Sequence, residues 1–259
     1  MRVKLFGLSV ISFTVAVFSS IIAFNIDAEK APKPDVTSTV SLSSAAQQNG
    51  MHSNGPASLK LIDISNHDDV RDWTAVKKNV DGLYMKATEG TTYVDVKLDS
   101  YSKGALGQKI PVGFYHYFWP SANVTAAKAQ AQFFYNAIKG YAYTLCPVLD
   151  VEETSSQPDS VIISNVKAFA DEFERLSGQR VMIYCSQNFA NRYLSDASLK
   201  SYKLWIAHYD VKSPGDTSTW NRYVMWQYGD KLRMDGINGL VDGDVATSSV
   251  FINEALMES

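Results

Sequence analysis

Leu145-Cys146-Pro147-Val148-Leu149-Asp150-Val151-Glu152 is a short apolar run that closes on two acids. Its length reads as a strand buried in a sheet. Successive strand side chains point to opposite faces, so Asp150 and Glu152 project together while Val151 turns into packing. Their Cβ atoms would lie roughly 6–7 Å apart. Two carboxyls that close push one pKa upward, which lets a protonated acid survive near neutral pH. Taken alone, the pair is equally well a solvated strand end.

Similar runs recur on either side, at residues 59–64, 82–85, 111–118, 181–184, 204–207, 223–227 and, more weakly, 240–245. Helical patterns separate several of them. Ile162, Val166, Phe169, Phe173 and Leu176 fall on one face, and the pattern stops at Gly178. Another runs from 125 to 139, carries Phe133, Phe134 and Ile138, and ends before Gly140. Strands alternating with helices predict a parallel α/β sheet. About eight strands in this span, some joined by short loops, predict an irregular TIM-like β/α barrel with an incomplete helix complement.

The rest of the chain sets the context. Met1-Arg2-Val3-Lys4 is basic and leads into an uncharged stretch over 5–24, so residues 1–26 read as a signal peptide or membrane anchor. The stretch reaches bilayer-spanning length, and Ile26-Asp27-Ala28 makes a poor cleavage site, so an uncleaved anchor is favoured. Residues 27–58 are poor in large apolar side chains and read as a disordered linker. The folded domain is expected over 59–259, outside the cytoplasm (periplasmic or extracellular), with any membrane contact confined to the N-terminal segment. A net charge of −3 argues against a nucleic-acid partner. Cys146 and Cys185 would sit near opposite sheet edges, so two buried thiols are expected rather than a disulfide.

In such a barrel, functional groups collect where the C-terminal ends of the strands meet. Asp63, Lys86 with Glu89, Tyr115 with His116 and Tyr117, Asp150 with Glu152, Tyr184, His208 with Tyr209, Gln227 with Tyr228, and Asp242 each close one apolar run. Together they outline an acidic cleft with aromatic walls. That suits glycoside hydrolysis, which needs one carboxylic acid to protonate the leaving oxygen and a second group to stabilise or attack the anomeric carbon. No HExxH motif, glycine-rich phosphate loop or GxSxG elbow is present, and the four histidines are scattered. Neither a metal nor another cofactor is expected.

From about residue 60 to 251 the chain resembles the family 25 glycoside hydrolases, the Chalaropsis-type lysozymes. Its landmarks run in order: Asp63-Ile64-Ser65; Lys86-Ala87-Thr88-Glu89-Gly90 with Tyr93 and Asp95; Gly113-Phe114-Tyr115-His116-Tyr117; Asp150-Val151-Glu152; Leu204-Trp205-Ile206-Ala207 with Tyr209; Trp226-Gln227-Tyr228; and Gly236-Ile237 leading to Val241-Asp242. The resemblance implies an N-acetylmuramidase acting on the peptidoglycan glycan strand, with Glu152 as proton donor and Asp150 as its partner. That partner either orients the substrate's N-acetyl group or stabilises the oxocarbenium-like state. Asp63 and Asp242 match the other two active-site acids. Lys86, Glu89, Tyr115, Tyr117, Tyr184, Tyr209 and Gln227 are the expected substrate-binding residues, and Trp205 is expected to be core. Where the family usually carries an amide, this chain has Asp68, expected to begin a helix. A monomer is expected. The competing readings are a catalytically silent glycan-binding module and a chitin-type glycosidase, although the longer acidic motif of family 18 chitinases is missing.

Overall fold

The computed structural model describes residues 51–56 and 58–253. The expected targeting segment and residues 27–50 of the expected linker lie outside them. The chain runs β1 (His52–Ser53), β2 (Leu59–Ile64), α1 (Trp73–Asn79), β3 (Gly82–Glu89), β4 (Tyr93–Val94), α2 (Leu98–Gly107), β5 (Val112–Tyr117), α3 (Val124–Ile138) and β6 (Val148–Asp150). It continues through α4 (Asp159–Ser177), β7 (Met182–Ser186), α5 (Gln187–Tyr193), β8 (Leu204–Ala207), β9 (Arg222–Tyr223), β10 (Met225–Leu232) and β11 (Val241–Ala246). Eight strands close a barrel in the order β2-β11-β10-β8-β7-β6-β5-β3, and β3 pairs back onto β2. The β/α barrel with few helices is therefore as expected.

Two expectations about the strands need correcting. β11 runs antiparallel to both neighbours, β10 and β2, rather than completing a parallel set. Its connection from β10, residues 233–240, is shorter than the roughly dozen residues that a parallel crossover requires, so the two strands form a hairpin. The run at 145–152 contributes only Val148–Asp150 to the ladder. Pro147 has no N–H to donate, which delays the start. Beyond Asp150 one further bond, from Val151 N–H to the Tyr184 carbonyl (2.9 Å), holds the chain before it leaves the sheet at Glu152.

Packing also begins earlier than residue 59. Met51 is buried in the core, and β1 pairs in parallel with β9.

Strand alternation sorts the core into two clusters. Leu61, Tyr84, Val148, Met182, Trp205, Met225 and Ala246 fill the barrel. Ile62, Leu83, Phe114, Leu149, Ile183, Leu204 and Ile206 point outward, into the shell that the helices cover. α4 ends as its sequence predicts: Gly178 takes a left-handed conformation (φ 72°) and its N–H closes on the Glu174 carbonyl. Cys146 and Cys185 are both buried, and no disulfide joins them.

His116 faces the outer shell rather than the cleft. Its ring lies against Phe169 and is hydrogen-bonded to Thr88 and Gln130 (2.8 and 3.2 Å). Burial drives its pKa down to about 3, so it stays neutral and serves packing.

Gly113 exists for a close approach. A Cβ there would lie 2.3 Å from Cε1 of Tyr84 and 2.9 Å from Cβ of Leu145. Neither can yield easily, because Tyr84 is fully buried against Trp205. Gly113→Ala is expected to cost about 1–3 kcal/mol, read as a lower midpoint in thermal unfolding. An unchanged midpoint would show that the Tyr84 ring gives way freely.

Candidate active site

The inward-pointing acids converge at the end of the barrel where the parallel strands finish. Asp63 is paired in register with Asp242, and Asp150 lies between Tyr117 and Tyr184 on its two neighbours. Asp242 reaches this rim because β11 starts there. The antiparallel strand delivers from its beginning what the other strands deliver from their ends. A cavity of about 190 Å³ opens between these groups, lined by Asp63, Ser65, His67, Lys86, Tyr115, Tyr117, Asp150, Glu152, Tyr184, Trp205, Gln227 and Asp242. Of the expected site residues, Glu89 and Tyr209 do not line the cavity but hold residues that do.

Gln227 organises one side. Its Oε1 accepts hydrogen bonds from the hydroxyls of Tyr184 (2.7 Å) and Tyr209. That fixes the amide orientation, so its Nε2 donates to Asp63 Oδ2 at 2.7 Å and more weakly to Asp242 Oδ2 at 3.4 Å. Burial is the main cause that raises Asp63 well above the ordinary carboxylate range, followed by the charge of Asp242. Asp242 is pushed to about 6, by burial and then by the charge of Asp68. Protons are therefore retained among these acids at mildly acidic pH.

Lys86 organises the other side and, among the described residues, is the only lysine or arginine lining the cavity. Its ammonium bonds Glu89 at 2.6 Å and lies 4.9 Å from the Tyr117 ring centre, a cation–π distance. The Trp119 indole holds the second oxygen of Glu89 at 3.1 Å. Burial would raise Glu89, but the bonds from Lys86 and Trp119 outweigh it and keep the group ionised. Tyr117 donates to Glu153 at 3.1 Å.

Between these sides sit Asp150 and Glu152. Asp150 is buried, and its Oδ1 takes no hydrogen bond from the described residues. Glu152 is exposed at the mouth. Their carboxyls line the same cavity wall, close enough to interact as acid and carboxylate. Burial raises Asp150 most, and the charge of Glu152 and the contact between the two add to it. Burial by the cleft walls also raises Glu152, while the contact with Asp150 pulls it back. The two titrate as a pair rather than as separate groups, with the deeper member raised well above the ordinary carboxylate range. The expectation that the two acids share one face holds, although Glu152 lies past the strand.

Asp68 does not begin a helix. Its Oδ2 accepts from the Ser65 N–H at 2.7 Å and closes a turn at the cleft edge, whereas the N-cap of α1 is Asp72. The carboxylate thereby ties the loop after Asp63 to itself. Trp205 is core, as expected, but also supplies a hydrogen bond from its indole to Asp244 at 2.9 Å. Asp244, Ser65 and His67 are absent from the expected site residues. Asp244 was legible, since it follows Asp242 by two positions on a strand and must share its face.

A closed β/α barrel with paired carboxyls and tyrosines at its open end is an arrangement that glycoside hydrolysis can use. Residues 62–237 match the family described as "Glycosyl hydrolases family 25", and the chain belongs to that family. It is similar to the "Autolytic lysozyme" of Clostridium acetobutylicum, 34% identical over 195 residues, which covers 75% of this chain and 57% of the relative. It thus spans little more than half of that lysozyme's length. Among solved structures it resembles the Clostridium perfringens spore cortex lytic enzyme SleM (TM-score 0.71, 25% identity, 77% of this chain and 71% of that one). It also resembles the bacterial lysozyme of Streptomyces coelicolor (TM-score 0.69, 26% identity, 74% and 94% covered).

Proposed function

We propose that this chain is a muramidase, hydrolysing the β-1,4 bond between N-acetylmuramic acid and N-acetylglucosamine in peptidoglycan. The observation that carries the reading is the Asp150–Glu152 dyad at the mouth of an acid-lined, tyrosine-walled cleft. Glu152, the solvent-facing member, is the proton donor to the leaving glycosidic oxygen. It acquires its proton when substrate binds. An N-acetyl N–H directed at Asp150 stabilises the ionised form of that carboxyl, and its proton passes to Glu152.

As the C1–O bond breaks, Glu152 gives that proton to the departing sugar. The N-acetyl carbonyl oxygen, oriented by Asp150, bonds C1 from the opposite face. Water then attacks C1, returns a proton to Glu152 and releases the acetamido oxygen. Participation by the substrate's own acetyl group removes the need for roughly 6.5–9.5 Å between two carboxyls, which acids in mutual contact do not provide. Asp63 and Asp242, steadied by Gln227, hold the polar face of the sugar, and Tyr115, Tyr117 and Tyr184 pack its ring.

The site is complete within one chain, which supports a monomer. Arg2 and Lys4 ahead of the uncharged stretch support an exported enzyme, tethered by an uncleaved N-terminal segment. Purified peptidoglycan digested by the protein and analysed by mass spectrometry is expected to carry new muramic-acid reducing ends. Glucosamine ends would move the chain to another specificity, and binding without new ends would leave it a silent module.

A further inference from the structure

Asp244 is the most deeply buried acid among the described residues, at 1% exposure. It faces Gln227 on β10 and Leu61 on β2, one layer below Asp63. Its Oδ1 accepts from the Trp205 indole, while its Oδ2 is sealed from solvent and receives no N–H or O–H from the described residues. Asp63 pairs with Asp242, two residues before Asp244 on the adjacent antiparallel strand, so the carboxyls of Asp63 and Asp244 are diagonal neighbours on one face. Two carboxylates cannot both stay ionised in contact at such depth, and one indole N–H does not compensate a second charge. The sealed oxygen is where a proton fits. It converts an orphaned acceptor into a donor and a repulsive contact into a hydrogen bond.

We propose that Asp244 is a positioning residue that acts through Asp63: protonated on its buried oxygen, it donates to the Asp63 carboxylate and, with Gln227, aims it at the sugar. This rests on the reading of Asp63 as a substrate-facing acid. The titratable groups facing Asp244 are Asp63 on β2, Asp242 on β11, Tyr84 on β3 and Tyr228 on β10. Asp63 is also faced by Asp68, Tyr115, Asp150, Tyr184 and Tyr209. Burial is the first cause raising Asp244, followed by Asp63's charge and the shared bond, and the same bond lowers Asp63. Both directions agree with the placement of the proton.

The test combines a titration with two substitutions in the whole protein. With ¹³C-labelled aspartate carboxyls, the resonance lost in Asp244→Asn is expected to remain at its protonated position at pH 7 in the wild type. An ionised Asp244 at that pH overturns the proposal. Asparagine keeps a donor toward Asp63 and an acceptor for Trp205, and alanine keeps neither. Asp244→Asn is therefore expected to exceed Asp244→Ala in kcat/KM on purified peptidoglycan by at least about tenfold, the effect of one hydrogen bond to a charged group. Loss of that donor raises the pKa of Asp63, so the acid limb of the Asp244→Ala profile moves to higher pH while that of Asp244→Asn stays. Equal losses with unmoved limbs overturn the role. If Asp244→Ala does not fold, Asp244→Ser, too short to reach Asp63, carries the same expectation. A wild type that releases no reducing ends would sink the hydrolase reading, and the carboxyl titration would still decide where the proton lies.

Discussion

Glu152→Gln is expected to lower turnover on peptidoglycan by at least about 10²-fold, the lower end of what a positioned general acid supplies, with the fold unchanged. Glutamine matches glutamate in shape, but its amide cannot release a proton to a departing oxygen. The position is exposed at the cleft mouth, so no packing is lost. Circular dichroism and thermal midpoint should match the wild type. Substrate binding, measured by pull-down on insoluble walls, should also persist, because the change removes a proton and not a contact. Near-normal turnover would sink the assignment of Glu152 and, with it, the mechanism built on the dyad.

Asp150→Asn is expected to separate activity from stability. Asp150 is buried, and its pKa is raised by that burial, by the charge of Glu152 and by contact with it. A carboxyl with a folded pKa above its unfolded value takes up a proton on folding. Its contribution to stability is fully present below the unfolded value and is lost as pH rises through the folded one. Asparagine is neutral throughout and can donate to Glu152 as a protonated Asp150 would. The variant should therefore unfold at nearly the wild-type midpoint around pH 4 and above it at pH 7, by roughly 2–4 °C for each kcal/mol recovered. Turnover should fall at least about 10²-fold, since a neutral amide cannot stabilise positive charge developing on the N-acetyl group. A midpoint gap that does not grow between the two pH values would show that Asp150 carries no excess proton.

Much of this was legible in sequence because strand parity is strict. Runs of four to eight apolar residues located the barrel strands, and counting by twos from Asp150 put Glu152 beside it. Two kinds of information were not in that pattern. The direction of β11 depends on the length of its connection, and an acid at its start lands on the same rim as acids at the ends of parallel strands. Asp242 was therefore placed at the correct rim by an incorrect route. The proton distribution depends on depth. Asp150 and Glu152 look alike as letters, yet one is buried and the other exposed, so burial raises the pKa of Asp150 well above the carboxylate range and that of Glu152 less. Asp68 shows the limit of local propensity: an aspartate ahead of a helix suits a cap, and the nearer competitor Asp72 took that role.

The descending course of β11 also fixes where the domain can be held. Having delivered Asp242 at the rim, the strand runs to the opposite end, and the segment after it closes the base, with Phe251 bridged to Leu145 and the Cys146 N–H bonded to the Val250 carbonyl. The first described residues gather there too, through Asn54 N–H to the Tyr223 carbonyl and Ser58 N–H to the Ala246 carbonyl. Both ends of the described domain therefore leave from the pole opposite the cleft. Both points of departure thus leave the cleft rim clear of the backbone that enters and exits the described domain.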